Sequence, residues 1–197
     1  MASSKNMDAL NARKQLPNVW QAPLMSTPAR DPLFCFYSIF CPFCAAYQLR
    51  GRSLHNDWSR YQCCGGGLPC SGRCGEPKCP RFCAATEAVL CFPMSVTATR
   101  FMIQDSLGIQ NTKCDNCIIA TMWFLQYLNC ICWLVATFTN VPFIDDAALV
   151  VDRVADIAYC SVCACMQTQH KVELDVRDGL KPAVSRTPPA MQEMSRK

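Results

Sequence analysis

The sequence is poor in charge and in histidine, and several functional motifs are missing from it. Only 17% of its 197 residues are charged, the net charge is +4, and there is no run of lysine or arginine, so it does not look like a nucleic-acid-binding protein. Its two histidines are too few for an array of Cys2His2 zinc fingers. There is no HExxH, no GxSxG and no phosphate-binding glycine loop, so we expect no enzymatic activity.

The two ends of the chain are predicted to lie outside the main domain. The first thirty residues contain no apolar core, so we expect no signal peptide, and Ala2 excludes the myristoylation motif. Four prolines are spaced through residues 1–32, which we interpret as a flexible arm with Trp20 as its only large anchor. Residues 179–197 are predicted to be a disordered polar tail, and residues 33–178 to form one domain.

Cysteine, in contrast, is abundant, with 17 in the chain. Six of them fall within 21 positions, from Cys63 to Cys83, in a loop that we place at residues 61–83. Six of the eight glycines lie between Gly51 and Gly75, and three prolines interrupt the same loop, so regular secondary structure is not expected there. Such a loop has no core of its own and needs cross-links, either disulfides or a thiolate-bound metal.

Uncharged segments dominate the rest. Residues 33–49 carry no charge but are marginal in length for a membrane span, and Pro42 splits them. We predict one helix over residues 84–109, kinked at Pro93, and a polar turn over residues 110–117. Residues 145–178 are predicted to form a helix that opens with two acids and carries an apolar stripe opposite Asp152, Arg153 and Asp156.

Residues 118–138 are the best transmembrane candidate, because all 21 are uncharged. The alternative is a central helix buried in a soluble bundle. Thr121, Gln126, Asn129 and Thr137 fall within roughly 160° of the helical wheel, and this polar stripe needs protein partners under either interpretation. The uncharged length favours membrane insertion.

Pairs of cysteines separated by two residues suit a metal, because two such pairs complete a tetrahedral zinc site with Zn–S distances of about 2.3 Å. We favour structural zinc over disulfides, and we name these candidate ligands: Cys41, Cys44, Cys63, Cys64, Cys70, Cys74, Cys79, Cys83, Cys114, Cys117, Cys160, Cys163 and Cys165. Cys130 and Cys132 lie inside the apolar helix and are not expected to bind metal. His170 lies too far along the helix from Cys163 to share its ion, and we interpret both His170 and His55 as surface histidines.

Topology is predicted from the basic residues. Between Arg50 and Lys113 there are eight Lys/Arg against four Asp/Glu, so the cysteine-rich loop is expected to face the cytosol, where thiols stay reduced.

Four motifs carry a resemblance to a known family: Cys41-Pro-Phe-Cys44, the Cys63-Cys64 cluster, Cys114-Asp-Asn-Cys117 and Cys163-Ala-Cys165-Met-Gln167. Residues 33–178 resemble a plant branch of the Cys-rich placenta-specific gene 8 family, which includes plant cell-number regulators, fruit-weight proteins and cadmium-resistance proteins. The resemblance implies association with a membrane, taken to be the plasma membrane, together with homo-oligomers and a role in organ size or heavy-metal tolerance.

The sequence therefore predicts a mainly α fold, namely a small cysteine-rich helical domain with a metal-stapled irregular loop and at least one membrane-type apolar helix. The expected function is a membrane-associated protein that binds divalent Zn or Cd, in metal homeostasis or growth regulation. The alternative is a soluble or peripheral zinc-stapled interaction module with no transport role. Gln126 and Asn129 are the only candidates for a polar path through the bilayer, and they are few and uncharged, which favours binding over a pore.

Overall fold

The structure is a computed structural model that describes residue 13 and residues 16–66, 71–72, 75–139 and 142–183. The fold is mainly α, as predicted. Its helices are α1 (Thr27–Arg30), α2 (Pro32–Phe40), α3 (Pro42–Ser53), α4 (Pro80–Leu90), α5 (Phe92–Leu107), α6 (Lys113–Thr139) and α7 (Pro142–Arg177). Two short strands, β1 (Asn18–Val19) and β2 (Ile109–Gln110), pair in parallel, with Asn18 opposite Ile109. The predicted tail lies outside the described residues from position 184 onward.

The segment before α2 belongs to the core and is not a free arm. Trp20 and Leu24 are 1% and 0% exposed. The Trp20 indole N–H donates to Asn111 Oδ1 at 3.0 Å, and the Leu24 N–H donates to Asp115 Oδ1 at 3.1 Å. Trp20 is therefore an anchor, as expected, but the idea of an extended arm is wrong for residues 16–31. A proline-rich composition does not reveal contacts made about ninety positions away.

Two pairs of helices are bent in the same way. α2 and α3 meet at an angle of 119° around Cys41, and α4 and α5 meet at 119° around Cys91. Pro42 is the first residue of α3, which confirms that it splits the 33–49 segment. The prediction of one helix over residues 84–109 is wrong, because the break at Cys91 is complete and Pro93 sits in the first turn of a new helix.

The breaks in the two bent pairs lie fifty residues apart, at Cys41 and Cys91. Cys41 and Cys91 each cap a helix in a similar non-helical conformation, with φ/ψ of −131°/67° and −126°/42°. An arginine follows each cysteine by nine residues, and both Arg50 and Arg100 are 2% exposed. Each bent pair therefore buries a guanidinium group nine residues after its break.

α6 and α7 form a long antiparallel hairpin. α6 begins at Lys113, so the predicted polar turn over residues 110–117 is half wrong: its second half is the first turn of the helix. Two of the four residues in the predicted polar stripe face α7: Gln126 donates to the Ala155 carbonyl at 3.1 Å, and Asn129 donates to Asp152 at 2.9 Å. Thr121 and Thr137 are exposed and donate to carbonyls of α6 itself. The outer face of α6 is apolar and exposed, through Trp123, Phe124, Tyr127, Ile131, Leu134, Val135 and Phe138.

The first half of α7 has a charged side and an apolar side, which run along the helix next to each other. We call the side with Asp145, Asp146, Asp152, Arg153 and Asp156 the acid flank. The apolar flank carries Val150, Val154 and Ile157, which are 63%, 50% and 68% exposed. Between residues 145 and 162 only Ala155 is buried, so most of the predicted apolar stripe faces outward.

The core lies where α3, α5 and the second half of α7 meet. One cluster is built on Leu24, Ala46, Phe92, Val96, Met122, Cys163 and Met166. A second is built on Trp20, Leu49, Ile103, Ile109 and Leu174. In the described residues, one helix is long and apolar enough to cross a membrane, or up to three if each bent pair counts as one span.

Candidate functional site

Two thiols and a carboxylate come together beside the cysteine-rich loop. The ligand atoms of Cys63, Cys64 and Glu87 all lie within 4.8 Å of one another. The two sulfur atoms are 3.9 Å apart. A tetrahedral zinc with Zn–S bonds of about 2.3 Å places two sulfurs about 3.8 Å apart, so this pair has the spacing of two ligands on one ion.

The backbone of the loop makes this pairing possible. Cys64 and Gly65 both have left-handed conformations, with φ of 51° and 63°. At Gly65 a Cβ would lie 3.1 Å from the Cβ of Ala98 on α5, so a larger residue would push the loop off that helix. The glycine therefore lets Cys64 reach the buried side of the loop.

A second carboxylate holds the rest of the loop in place. Glu76 is 2% exposed, and its side chain accepts hydrogen bonds from the backbone N–H of Cys63, at 3.0 Å, and of Gly72. The hydroxyl of Ser71 donates to the Cys63 carbonyl at 2.8 Å. Glu76 thus replaces the missing secondary structure with charge-assisted hydrogen bonds.

Glu87 already has three partners. Its Oε2 accepts from the Tyr61 hydroxyl at 2.6 Å and from the Cys64 N–H at 3.0 Å, and its Oε1 lies 3.5 Å from Arg50 Nη2. Both side chains of the ion pair are buried, at 2% and 1% exposure. Glu87 is therefore placed to orient Cys64, and the two sulfurs are the atoms left to bind an ion.

The thiols are protonated in the absence of a cation. Burial, with the nearby Glu87 carboxylate and Cys63, raises the pKa of Cys64 to about 12. Burial also raises the pKa of Cys63. A divalent cation must displace these protons, so metal uptake at this pair would release protons to solvent.

Two further cysteines lie near the pair, but among the described residues the only three with ligand atoms within 4.8 Å of one another are Cys63, Cys64 and Glu87. Cys83, on α4, packs with Cys63 against a third core cluster, which consists of Leu54, Tyr61 and Ala84. Cys91 is close enough to Cys64 for its charge to raise the pKa of that thiol. Sequence reasoning gave Cys91 no role, because it belongs to no CxxC pair.

The remaining predicted ligands are dispersed. Among the described residues, no other three His, Cys, Asp or Glu side chains are close enough to hold an ion. Cys79, Cys114, Cys117 and Cys160 are exposed, Cys163 is buried, and Cys165 is partly buried. Cys70 and Cys74 lie outside the described residues.

Cys41 and Cys44 are joined by a disulfide in the structure, with Cα atoms 5.4 Å apart. In that state they offer no thiolate to a metal. Their assignment as ligands stays a prediction for the reduced chain.

The interpretation of His170 as a surface histidine is wrong, whereas His55 is exposed as expected. His170 is 0% exposed, and neither ring nitrogen has a hydrogen-bond partner. Burial, reinforced by the Arg100 guanidinium, holds its pKa well below the ordinary value of 6.5. His170 is thus a neutral core residue beside Trp20, with ring centroids 5.8 Å apart.

This burial gives a pH dependence. The unfolded chain binds a proton at His170 below pH 6.5 and the folded chain does not, so stability should fall as the pH drops through that value. The loss should grow by about 1.4 kcal/mol for each pH unit below 6.5, until the folded chain also binds the proton. His170→Leu should flatten the profile of unfolding free energy against pH, and His55→Asn should leave it unchanged. An unchanged slope in His170→Leu would show that other groups cause the dependence.

Comparisons with protein-family models, with curated proteins and with solved structures found no match to this chain.

Proposed function

We propose that the protein is a membrane-associated, cysteine-rich zinc-binding protein. The observation that carries the metal function is the pair of sulfurs 3.9 Å apart at Cys63 and Cys64, held by two buried glutamates. The surface around the two bent helix pairs and the α6–α7 hairpin supports the membrane association.

The corners of the two bent pairs lie side by side and are apolar. Phe43 contacts Phe92 edge-on, with ring centroids 5.5 Å apart, and Phe92 contacts Tyr159 of α7 at 6.3 Å. Around these contacts the exposed residues are Phe36, Ile39, Phe40, Val89, Leu90 and Met94. So large an exposed apolar area is typical of a surface that meets lipid or another protein.

The hairpin adds a second apolar area but limits how deeply it enters. Asp152 is level with Asn129, near the middle of α6, and Arg153 and Asp156 are exposed beside it. Each charge carried to the bilayer centre costs roughly 2.5 to 3.5 kcal/mol on insertion scales. We infer that the outer face of α6 contacts the hydrocarbon while the acid flank of α7 stays in water.

The biological role follows the resemblance to the Cys-rich placenta-specific gene 8 family. Metal homeostasis or growth regulation, homo-oligomers, a plasma-membrane location and a cytosolic cysteine-rich loop are all part of the proposal. Transport is not part of it, because the polar groups inside α6, Gln126 and Asn129, are bonded to α7.

Elemental analysis with thiol titration, on protein purified under reducing conditions, tests the metal function. We expect near-stoichiometric zinc, lost in the double variant Cys63→Ser/Cys64→Ser and retained in Cys130→Ala. Cys130 is an exposed thiol on α6 and so controls for the loss of a cysteine as such. A metal content near zero in the unmodified protein, with most thiols blocked as disulfides, would refute the proposal.

A further inference from the structure

A cleft of about 230 Å³ opens between α5, α6 and α7, away from the thiol pair. Its walls are mainly apolar and include Val96, Phe101, Ile119, Met122, Trp123 and Met166. Trp123 also belongs to the exposed outer face of α6, at 40% exposure. The cleft therefore borders the exposed outer face of α6.

One end of the cleft is polar and carries a buried positive charge. Arg100, Asn111 and Asn116 lie there, with Thr97 beside them. Arg100 donates to Gln169 Oε1 and to Asn111 Oδ1, both at 2.7 Å. Both acceptors are neutral amides, so these bonds orient the guanidinium without balancing its charge.

The charge of Arg100 is compensated by a cation–π contact and a distant carboxylate, and not by a hydrogen-bonded anion: the guanidinium carbon lies 4.4 Å from the centroid of the Trp20 ring. The nearest carboxylate, Asp115, is 3.9 Å away and itself accepts hydrogen bonds from the Leu24 N–H and Gln169. Arg100 Nε is buried without a hydrogen-bond partner. A buried cation with an unused donor is costly, and an anionic acceptor would lower that cost.

We propose that this cleft binds a single-chain amphiphile whose anionic head group, a carboxylate or a phosphate monoester, sits at the Arg100 end. The volume holds about eight groups of methylene or water size, at roughly 30 Å³ each, so the head group and the first part of a medium-length alkyl chain fill it and the rest of the chain extends through the opening. In such a site the apolar walls contribute most of the binding, and the single charged group at the end fixes the orientation of the ligand. The proposal does not depend on metal binding or on membrane association.

The test is isothermal titration of the purified full-length protein in lipid nanodiscs, with empty nanodiscs subtracted, using decanoate, decyl phosphate and decanol as probes. If the protein purifies without a membrane, the same titration is run in buffer. We expect saturable binding of at least one anion, at least tenfold tighter than decanol. Whichever anion binds more tightly identifies the head group. Equal binding of all three probes, or no saturable binding, would overturn the proposal.

Two variants locate the site. Asn116→Asp places a negative charge at the polar end on an exposed side chain, so anion binding should weaken at least tenfold while decanol binding stays unchanged. Ile119→Trp fills the cleft and should weaken all three probes. Ile131→Trp makes the same change on the outer face of α6, away from the cleft, and should have no effect. Anion binding that survives both cleft variants would place the ligand elsewhere.

Discussion

Leu134→Arg should release the protein from membranes, whereas Leu149→Arg should not. Both leucines are exposed, at 44% and 53%, and both lie on the α6–α7 hairpin. Leu134 belongs to the apolar outer face of α6, and Leu149 lies among the aspartates of the acid flank. An arginine at Leu134 enters hydrocarbon at a cost of roughly 2.5 to 3.5 kcal/mol, a change of about 70- to 400-fold in partition. At Leu149 it meets water and neighbouring carboxylates.

The measurement is the fraction of protein that stays in membranes after a carbonate wash. The unmodified chain and Leu149→Arg should be retained, and Leu134→Arg should appear in the supernatant or be degraded. If the unmodified chain is soluble and monodisperse without detergent, α6 covers itself by protein contacts and the membrane proposal fails. Equal retention of both arginine variants would show that the outer face of α6 is not the part that enters lipid.

Glu87→Ala should be among the most destabilising single changes in the chain. It leaves the Arg50 charge, the Tyr61 hydroxyl and the Cys64 N–H without their shared partner in a buried site. Removing one member of a buried ion pair costs roughly 3 to 5 kcal/mol. Asp105→Ala is the matched control, because its ion pair with Arg13 is half exposed and is worth less than about 1 kcal/mol.

The free energy of unfolding of both variants, measured by denaturant titration in the same detergent, checks this prediction. Glu87→Ala should also make Cys64 react faster with a thiol reagent, since the loop loses its attachment to α4. If Glu87→Ala unfolds at the same denaturant concentration as Asp105→Ala, the ion pair between Arg50 and Glu87 is not formed in solution. Glu87 is then free to act as a metal ligand.

The parts of this fold that the sequence predicts are those with a local signal. α6 was evident because 21 uncharged residues follow one another, and α7 because acids open a long periodic segment. The break at Cys91 was missed because a proline two residues later is compatible both with a kink and with the first turn of a new helix. Aligning Cys41 with Cys91 would have decided between them.

The site was predicted only in part, for reasons of distance along the chain. Cys63 and Cys64 stood out as a doublet, but nothing near them pointed to Glu87, which lies 23 positions beyond Cys64. Arg50, Arg100 and His170 were unexpected inside the core because charged and titratable side chains are usually exposed. Their burial depends on partners from several helices, and no local pattern encodes such partners.

The hydrogen bonds between α7 and residues 21–22 determine the order in which parts of the domain can fold during synthesis. Gln169 donates to the Ala22 carbonyl, 147 residues earlier, and Glu173 accepts from the Gln21 N–H, 152 residues earlier. At about 5 to 20 residues per second, a ribosome needs roughly 7 to 30 s to make that intervening stretch. Trp20 is therefore covered only after α7 has been made, and α6 leaves the ribosome before the core around Trp20 can close. We expect α6 to meet its surroundings, lipid or chaperone, while the domain is still open.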